Sequence, residues 1–136
     1  MQVLIVDDHQ IIRRGVRSIL ESRKDFRICG EAANGREAVN KASELHPDLI
    51  ILDHAMPVLS GLAAASQIRQ IMPQVPILML SMHAGKPLLD ALRLLGIRGF
   101  VPKAECAGKL LEAVDAVLRG ETFFNIELNS CMGLSE

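Results

Sequence analysis

The chain has 136 residues, of which 49% are hydrophobic and 23% charged, and its formal net charge is −1. This size and composition fit one globular domain and exclude an intrinsically disordered chain. The near-neutral charge, with lysines and arginines scattered along the sequence, argues against nucleic-acid binding by this segment alone. Three cysteines without C-x-x-C spacing indicate neither a disulfide framework nor a zinc site, and reduced thiols are typical of cytoplasmic proteins. No apolar run approaches the roughly 18 residues of a membrane span, so no membrane association is expected.

Short apolar runs alternate with segments of helical periodicity. In chain order, the patterns predict a strand at 3–6, a helix at 11–20, a strand at 26–32, a helix at 34–45, a strand at 49–53, a helix at 60–72, a strand at 76–81, a helix at 86–96, a strand at 99–103 and a helix at 107–120. Asn34 and Ser60 stand where helix N-caps are expected, and Gly96 stands where a helix ends. Residues 121–136 show no periodicity, and we expect a linker or a loosely docked tail there.

This alternation predicts an α/β fold with a parallel sheet. Strands without polar alternation, such as 3–6 and 49–53, are typical of a sheet that is buried on both faces by helices. The crossovers between parallel strands should be right-handed. We therefore expect one doubly wound (βα)5 domain over residues 1–120.

Acidic side chains follow the first and third predicted strands. Asp7 and Asp8 come directly after 3–6, and Asp53 ends 49–53. Ligands of open α/β sheets bind beyond the carboxyl ends of the strands, and in the strand order 2-1-3-4-5 these two strands are neighbours at that edge. Three converging carboxylates would repel one another, and a hard divalent cation removes this penalty. Ligands that are all oxygen favour magnesium, which commonly recruits a phosphate oxygen as well.

A hydroxyl and an ammonium group are predicted at the same edge of the sheet. Ser81 closes the fourth strand, and Lys103 follows the fifth. Together with the acids they form a set suited to phosphoryl transfer, because the metal and Lys103 would neutralise charge on the transferring oxygens. Asp53 is the predicted nucleophile, since carboxylates can form aspartyl-phosphates.

Four segments carry a family resemblance. They are LIVDDH (4–9), LIILDHAMPVLSG (49–61), LMLSMH (78–83) and GFVPK (99–103). In this order and spacing they resemble the receiver domain of bacterial two-component response regulators, over residues 1 to about 120. The resemblance implies a flavodoxin-like (βα)5 sandwich with the parallel strand order 2-1-3-4-5. Residues 7–20 and 80–105 look particularly like the NarL/FixJ subfamily, whose members carry a LuxR-type helix-turn-helix output domain.

The resemblance implies roles for individual residues in phosphorylation. Asp53 would accept the phosphoryl group from a phosphohistidine on a sensor kinase. Asp8 would bind Mg²⁺ directly together with Asp53, Asp7 would bind it through water, and the backbone carbonyl of Ala55 would be the remaining protein ligand.

The resemblance also implies a conformational switch. Ser81 and Lys103 would bind the phosphoryl group, and Phe100 would turn inward as the fourth helix and the fifth strand shift. Pro102 resembles a cis-proline position that would aim the lysine. In a longer protein the switch would drive homodimerisation and, through an output domain that this chain lacks, control DNA binding and transcription; residues 121–136 would lead to that domain.

Several positions leave alternatives open. His54, next to Asp53, has no clear role, and His9 and His83 are expected to be peripheral to the acids. The leucines of 86–96 fit either an interface or the core. At the level of function, two alternatives remain. The chain could be a degenerate receiver that acts only as a protein-interaction module, or a small aspartyl-phosphate phosphatase, although such phosphatases typically use D-x-D and a lid domain rather than D-D-H.

Overall fold

The computed structural model describes residues 1–82 and 85–124. The strands are β1 (Gln2–Val6), β2 (Arg27–Ala32), β3 (Leu49–Asp53), β4 (Ile77–Ser81), β5 (Gly99–Pro102) and β6 (Phe123–Phe124). The helices are α1 (Gln10–Glu21), α2 (Gly35–Leu45), α3 (Gly61–Ile71), α4 (Lys86–Leu94) and α5 (Cys106–Leu118), and a 3-10 turn, Lys103–Glu105, precedes α5. Within this part of the chain, no helix is long and apolar enough to cross a bilayer. His83 and most of the predicted tail, 125–136, lie outside the described residues.

The strands form one parallel sheet in the order β2-β1-β3-β4-β5-β6. The predicted order of the first five strands is confirmed. The sixth strand was not predicted: Phe123 and Phe124 pair with Gly99 and Phe100, and the Phe123 N–H donates to the Arg98 carbonyl at 2.7 Å. Two residues are too few to leave a periodic signal in a sequence, so this addition to the sheet edge becomes visible only in three dimensions.

Successive strand residues point to opposite faces of the sheet, and each face has its own apolar cluster. From β1, Leu4 and Val6 join the cluster covered by α2, α3 and α4, while Val3 and Ile5 join the cluster covered by α1 and α5. Every residue of β3 is buried. This burial on both sides explains why the strands lack polar alternation.

The predicted helix ends are confirmed by their hydrogen bonds. At α2, the side chain of the N-cap Asn34 accepts from the Glu37 N–H at 2.9 Å, and the Glu37 carboxylate accepts from the N–H of Ala33, the residue before the cap, at 2.8 Å. At α3, Ser60 Oγ accepts from the N–H of Ala63 at 3.2 Å. At the end of α4, Gly96 has a φ of 72°, the left-handed conformation in which glycine is favoured.

One local prediction is wrong. The described residues contain no cis peptide bond, so the bond before Pro102 is trans. Pro102 has the extended angles φ −61° and ψ 140° and pairs in register with Ser81 of β4. An extended last residue of β5 is therefore enough to carry the chain to the sheet edge, where Lys103 begins the 3-10 turn.

Candidate functional site

The carboxyl ends of β1, β3 and β5 bring Asp7, Asp53 and Lys103 together. Lys103 Nζ lies 2.9 Å from Asp7 Oδ2 and 3.1 Å from Asp53 Oδ1. The side chain of Lys103 is 6% exposed, and the two carboxylates are 1% exposed. One ammonium group is thus shared by two buried carboxylates, and the group as a whole keeps an excess of negative charge.

Burial and these ion pairs act in opposite directions on the titration of the site. Burial raises the pKa of Asp53, and its negative neighbours Asp7 and Asp8 raise it further, although Lys103 opposes the change. Burial alone would lower the pKa of Lys103, but its contacts with Asp7 and Asp53 outweigh that effect and raise the pKa. Lys103 therefore stays charged, while Asp53 is the carboxylate for which ionisation is costly.

The acidic cluster is wider than the ion pair. Asp7, Asp8, His9 and Asp53 each offer one ligand atom, and these four atoms lie within 4.8 Å of one another. His9 Nδ1 is 3.1 Å from Asp8 Oδ1 and 3.2 Å from Asp7 Oδ1. The expectation that His9 is peripheral is therefore wrong. His9 follows the acids directly, and at the start of α1 its side chain lies back over them, an orientation that the sequence does not specify.

The oxygen atoms of this cluster fit a divalent cation. Among the described residues, Asp7 Oδ2, Asp8 Oδ1 and Asp53 Oδ2 are buried side-chain atoms without a hydrogen bond. Asp7 Oδ2 is at ion-pair distance from Lys103, and Lys103 approaches the Asp53 carboxylate through its other oxygen, Oδ1. A buried carboxylate oxygen without a partner is expensive, and a bound cation would supply the missing interaction. The cluster can therefore hold a metal ion, and its carboxylate donors suit a hard one.

The loop after β3 is held between the starts of two helices. The Gly61 N–H donates to the His54 carbonyl at 2.7 Å, and the Gly35 N–H donates to the Leu59 carbonyl at 3.1 Å. A Cβ at Gly61 would lie 2.0 Å from the carbonyl oxygen of Asp53, and one at Gly35 would lie 2.2 Å from that of Leu59. Both glycines are required by this close approach, which fixes the loop that contains the exposed Ala55 beside the acids.

Two arginines of α1 support the site from outside, and sequence reasoning missed them. Arg13 Nη1 donates to the Asp7 carbonyl at 2.6 Å, and Arg13 Nε donates to Glu31 Oε1 at 2.9 Å. Arg17 also pairs with Glu31. Burial would raise the pKa of Glu31, but the two arginines outweigh it and lower the pKa. The helical spacing of the arginines predicted a solvated face of α1. Their partner, Glu31, lies on β2, so no local sequence pattern indicates this pairing.

The remaining predicted residues are placed as follows. Ser81 is the last residue of β4 and is 5% exposed. Phe100 is fully buried in the apolar cluster under α4, so it already has the inward orientation that was expected only after phosphorylation. His54 is half-buried, its Nδ1 has no hydrogen bond among the described residues, and burial lowers its pKa.

Comparisons with known proteins agree with this geometry. Residues 3–115 match the family described as the response regulator receiver domain. The response regulator protein VraR of Staphylococcus aureus is 39% identical over 129 residues, which are 94% of this chain and 61% of VraR. The chain therefore spans less than two thirds of the length of these curated relatives.

Solved structures give the same result. A LuxR-family two-component response regulator from Aurantimonas sp. SI85-9A1 superposes with a TM-score of 0.88 at 30% identity, over 94% of this chain and 91% of that one. The isolated receiver domain of RcsB from Salmonella enterica serovar Typhimurium, solved with the phosphomimetic BeF3⁻, gives a TM-score of 0.86 at 28% identity, over 95% and 96% of the two chains. The receiver domain of the regulator NarL from Mycobacterium tuberculosis gives a TM-score of 0.82 at 27% identity, over 88% and 97%.

Proposed function

The chain belongs to the response regulator receiver domain family, among its LuxR- and NarL-type members, and we propose that it is a phospho-accepting switch. In this proposal Asp53 takes a phosphoryl group from a phosphohistidine of a sensor histidine kinase. The observation that carries the proposal is that the two carboxylate oxygens of Asp53 have different surroundings. Oδ1 lies 3.1 Å from Lys103 Nζ, whereas Oδ2 is buried without a hydrogen bond among the described residues.

This arrangement suits Asp53 to act as a nucleophile. The Lys103 ammonium group holds the carboxylate by Oδ1, which leaves Oδ2 to form the new P–O bond while the P–N bond of the phosphohistidine breaks. Lys103 would then neutralise one of the phosphoryl oxygens. Its contact with Asp7, at 2.9 Å, keeps the ammonium group at the site throughout.

The resident cation in this proposal is Mg²⁺. Asp8, Asp53 and the backbone carbonyl of Ala55 would hold it, with Asp7 acting through water. When bound, Mg²⁺ supplies positive charge that offsets both the clustered carboxylates and the incoming phosphoryl group. The role of Asp7 is then twofold, since it also holds Lys103.

Phosphorylation would be transmitted through Ser81. The Ser81 hydroxyl stands at the end of β4, beside Pro102 of β5 in register, and would hydrogen-bond the phosphoryl group. Movement of the backbone after Ser81 would then displace α4 and the β5 edge. Phosphorylation would bias an equilibrium between two conformations. The inward Phe100 of this structure would belong to the conformation that phosphorylation stabilises.

At the level of the cell, we propose a cytoplasmic switch that is not a turnover enzyme. Its partners would be a sensor kinase and, on phosphorylation, a second copy of the chain. Control of DNA binding and transcription would pass through a LuxR-type output domain outside this chain, in line with the longer relatives.

The direct test is the mass of the intact protein after incubation with acetyl phosphate and Mg²⁺. Wild type should gain one phosphoryl group, and Asp53→Asn should gain none. Asp25→Asn is the matched control, since Asp25 is an exposed carboxylate whose side chain pairs only with Arg23 among the described residues; it should be labelled like wild type. Labelling of Asp53→Asn would contradict the proposal, no labelling of wild type would favour a degenerate binding module, and sustained hydrolysis of phosphomonoesters would favour a phosphatase.

A further inference from the structure

We propose that residues 121–124 form a strap whose docking against β5 and α4 is strengthened by phosphorylation of Asp53. The inference rests on the proposed function, in which the phosphoryl group displaces α4 and the β5 edge, and it adds the segment that responds to this displacement. Because the strap follows the last helix of the receiver, it would carry the state of Asp53 toward an output domain in a longer protein.

The strap contacts both elements that the switch would move. Phe123 and Phe124 pair in parallel with β5, and the Phe123 N–H donates to the Arg98 carbonyl at 2.7 Å. On the α4 side, the guanidinium carbon of Arg93 lies 4.8 Å from the centre of the Phe124 ring, which is a cation–π distance. A displacement of α4 relative to β5 would therefore change the contacts that hold the strap.

Phe124 lies beside Phe100, whose inward position the proposed function assigns to the phosphorylated conformation. The two residues pair in register and therefore point to the same face of the sheet. Phe100 is fully buried in the apolar cluster under α4, and the half-buried Phe124 packs against the same cluster. A Phe100 ring that left the cluster would move toward the β5 edge, which Phe124 occupies. The docked strap thus belongs with the inward Phe100, and this sets the direction of the effect.

The strap is held weakly enough to respond to such a change. Its strand, β6, has two residues, both half-buried, while Glu121 and Thr122 are exposed. Segments with few buried contacts open locally at a small cost in free energy, whereas core strands open only at a large one. A modest change in the contacts with α4 and β5 is therefore enough to shift the fraction of molecules in which the strap is docked.

The chain is fixed just before the strap pairs with β5. Arg98 Nη1 donates to the Gly120 carbonyl at 2.6 Å, and the Glu121 N–H donates to the Ala116 carbonyl at 2.9 Å. Gly120 has a φ of 81°, so the turn out of α5 uses the left-handed conformation that glycine tolerates. These contacts keep Phe123 and Phe124 close to β5, so that docking needs only a local rearrangement.

The experiment is hydrogen–deuterium exchange of the full chain in Mg²⁺, with and without acetyl phosphate, and the intact mass of the same samples gives the phosphorylated fraction. We expect amide exchange of residues 121–124 to slow at least about fivefold on phosphorylation. The strand β2, at the opposite edge of the sheet, should keep its rate. Asp53→Asn should show no change with the same reagents.

Two variants separate the contacts of the strap. Phe124→Ala removes the packing beside Phe100 and should exchange rapidly at 121–124 in both states, with β2 unchanged. Arg93→Gln removes only the contact from α4 and should reduce the slowing that phosphorylation causes. Ile71→Ala is the control, because Ile71 is a half-exposed apolar residue of α3, which does not contact the strap; it should behave like wild type.

A reciprocal measurement uses beryllium fluoride, a mimic of the phosphoryl group. Coupling between two sites acts equally in both directions, so loss of the docked strap should weaken binding of the mimic at Asp53. We expect its dissociation constant in Mg²⁺ to rise about two- to fivefold in Phe124→Ala and to stay unchanged in Ile71→Ala.

Equal or faster exchange of residues 121–124 in the phosphorylated wild type would overturn the inference. Equal affinity of wild type and Phe124→Ala for beryllium fluoride would overturn it as well. In either case, a mass gain of one phosphoryl group on wild type would leave the proposed function standing, whereas no mass gain would remove both.

Discussion

At the scale of the residue, the buried Asp53 carboxylate carries an energetic cost for the metal-free fold. It is buried, it shares one ammonium group with Asp7, and burial raises its pKa, with Asp7 and Asp8 adding to the effect. An aspartate in that position weakens the metal-free fold, because its charge lacks solvent and full pairing. Such a cost is consistent with a chemical role for the carboxylate rather than a structural one.

The first prediction concerns stability without metal. In EDTA at pH 7, Asp53→Asn should increase the free energy of unfolding by about 1–3 kcal/mol, because it removes an incompletely paired buried charge and keeps the shape. Lys103 retains its contact with Asp7. Urea unfolding followed by circular dichroism measures the difference. Asp25→Asn, at an exposed ion pair, should change stability by less than about 1 kcal/mol; a loss of stability in Asp53→Asn would contradict this view of the site.

The second prediction concerns pH. The folded-state pKa of Asp53 is raised above its ordinary value of 3.8, so the folded protein binds this proton more tightly than the unfolded chain does. The contribution of Asp53 to stability is fully present below pH 3.8 and is lost as the pH rises through the raised pKa. The advantage of Asp53→Asn over wild type in metal-free buffer should therefore grow with rising pH and then level off. Urea unfolding of both proteins over a pH series measures it, and an advantage that shrinks with rising pH would refute the assignment.

At the scale of the element, the segment between β3 and α3 is positioned by backbone contacts. Gly61 and Gly35 begin two helices and accept the close approach of Asp53 and Leu59 carbonyls. Val58 in the same segment has a φ of 70°, which is uncommon for a β-branched residue, and the Leu59 N–H donates to the Pro57 carbonyl across it at 2.7 Å. The precision of the site thus depends on residues that carry no chemistry themselves.

The third prediction tests this support. Gly61→Ala should destabilise the protein by about 1–3 kcal/mol, because the new methyl group would overlap the Asp53 carbonyl and displace the loop, and it should slow labelling by acetyl phosphate. Gly108→Ala is the matched control: it lies in α5 with open space around its Cα, and alanine should stabilise that helix by up to about 1 kcal/mol. Urea unfolding and the rate of mass gain check both effects. Equal behaviour of the two variants would show that the close approach at Gly61 is unimportant.

At this scale, the sequence correctly predicted the helix starts and ends that depend on local patterns. The caps Asn34 and Ser60 and the end at Gly96 follow from side-chain chemistry within one turn of the chain, and all three are confirmed. The pairing of Pro102 with Ser81 and that of Phe123–Phe124 with Gly99 and Phe100 depend on neighbouring strands. Those neighbours lie far away in sequence, so these features could not be predicted locally.

At the scale of the whole molecule, the strand order creates the site. β1 and β3 are neighbours, and this places Asp7 and Asp53 at one edge although 45 residues lie between them in the sequence. The general rule for parallel sheets was sufficient to predict this edge. It was not sufficient for the direction of His9, the pairing of Arg13 with Glu31 or the inward position of Phe100, because side-chain orientation depends on packing between elements.

The fourth prediction concerns assembly through α4. Leu89 and Leu92 are buried and Leu88 and Leu95 pack against the core, whereas Leu94 is 88% exposed. Leu94→Asp should therefore change the stability of the monomer by less than about 0.5 kcal/mol and weaken association of the phosphorylated chain. Analytical ultracentrifugation with and without acetyl phosphate tests this. Ile71→Asp is the control, because Ile71 is also an exposed apolar residue but lies on α3; it should associate like wild type. If Leu94→Asp associates like wild type both with and without acetyl phosphate, α4 is not part of the interface.

A crystal structure of the chain with Mg²⁺ and beryllium fluoride, a mimic of the phosphoryl group, would test directly whether Asp53 is the phospho-acceptor. We expect the beryllium atom to be bonded to an oxygen of Asp53, one fluorine to lie at hydrogen-bond distance from Lys103 Nζ, and the cation to lie between Asp8 and Asp53. Beryllium fluoride bound elsewhere, or a cation that does not contact these carboxylates, would contradict this expectation.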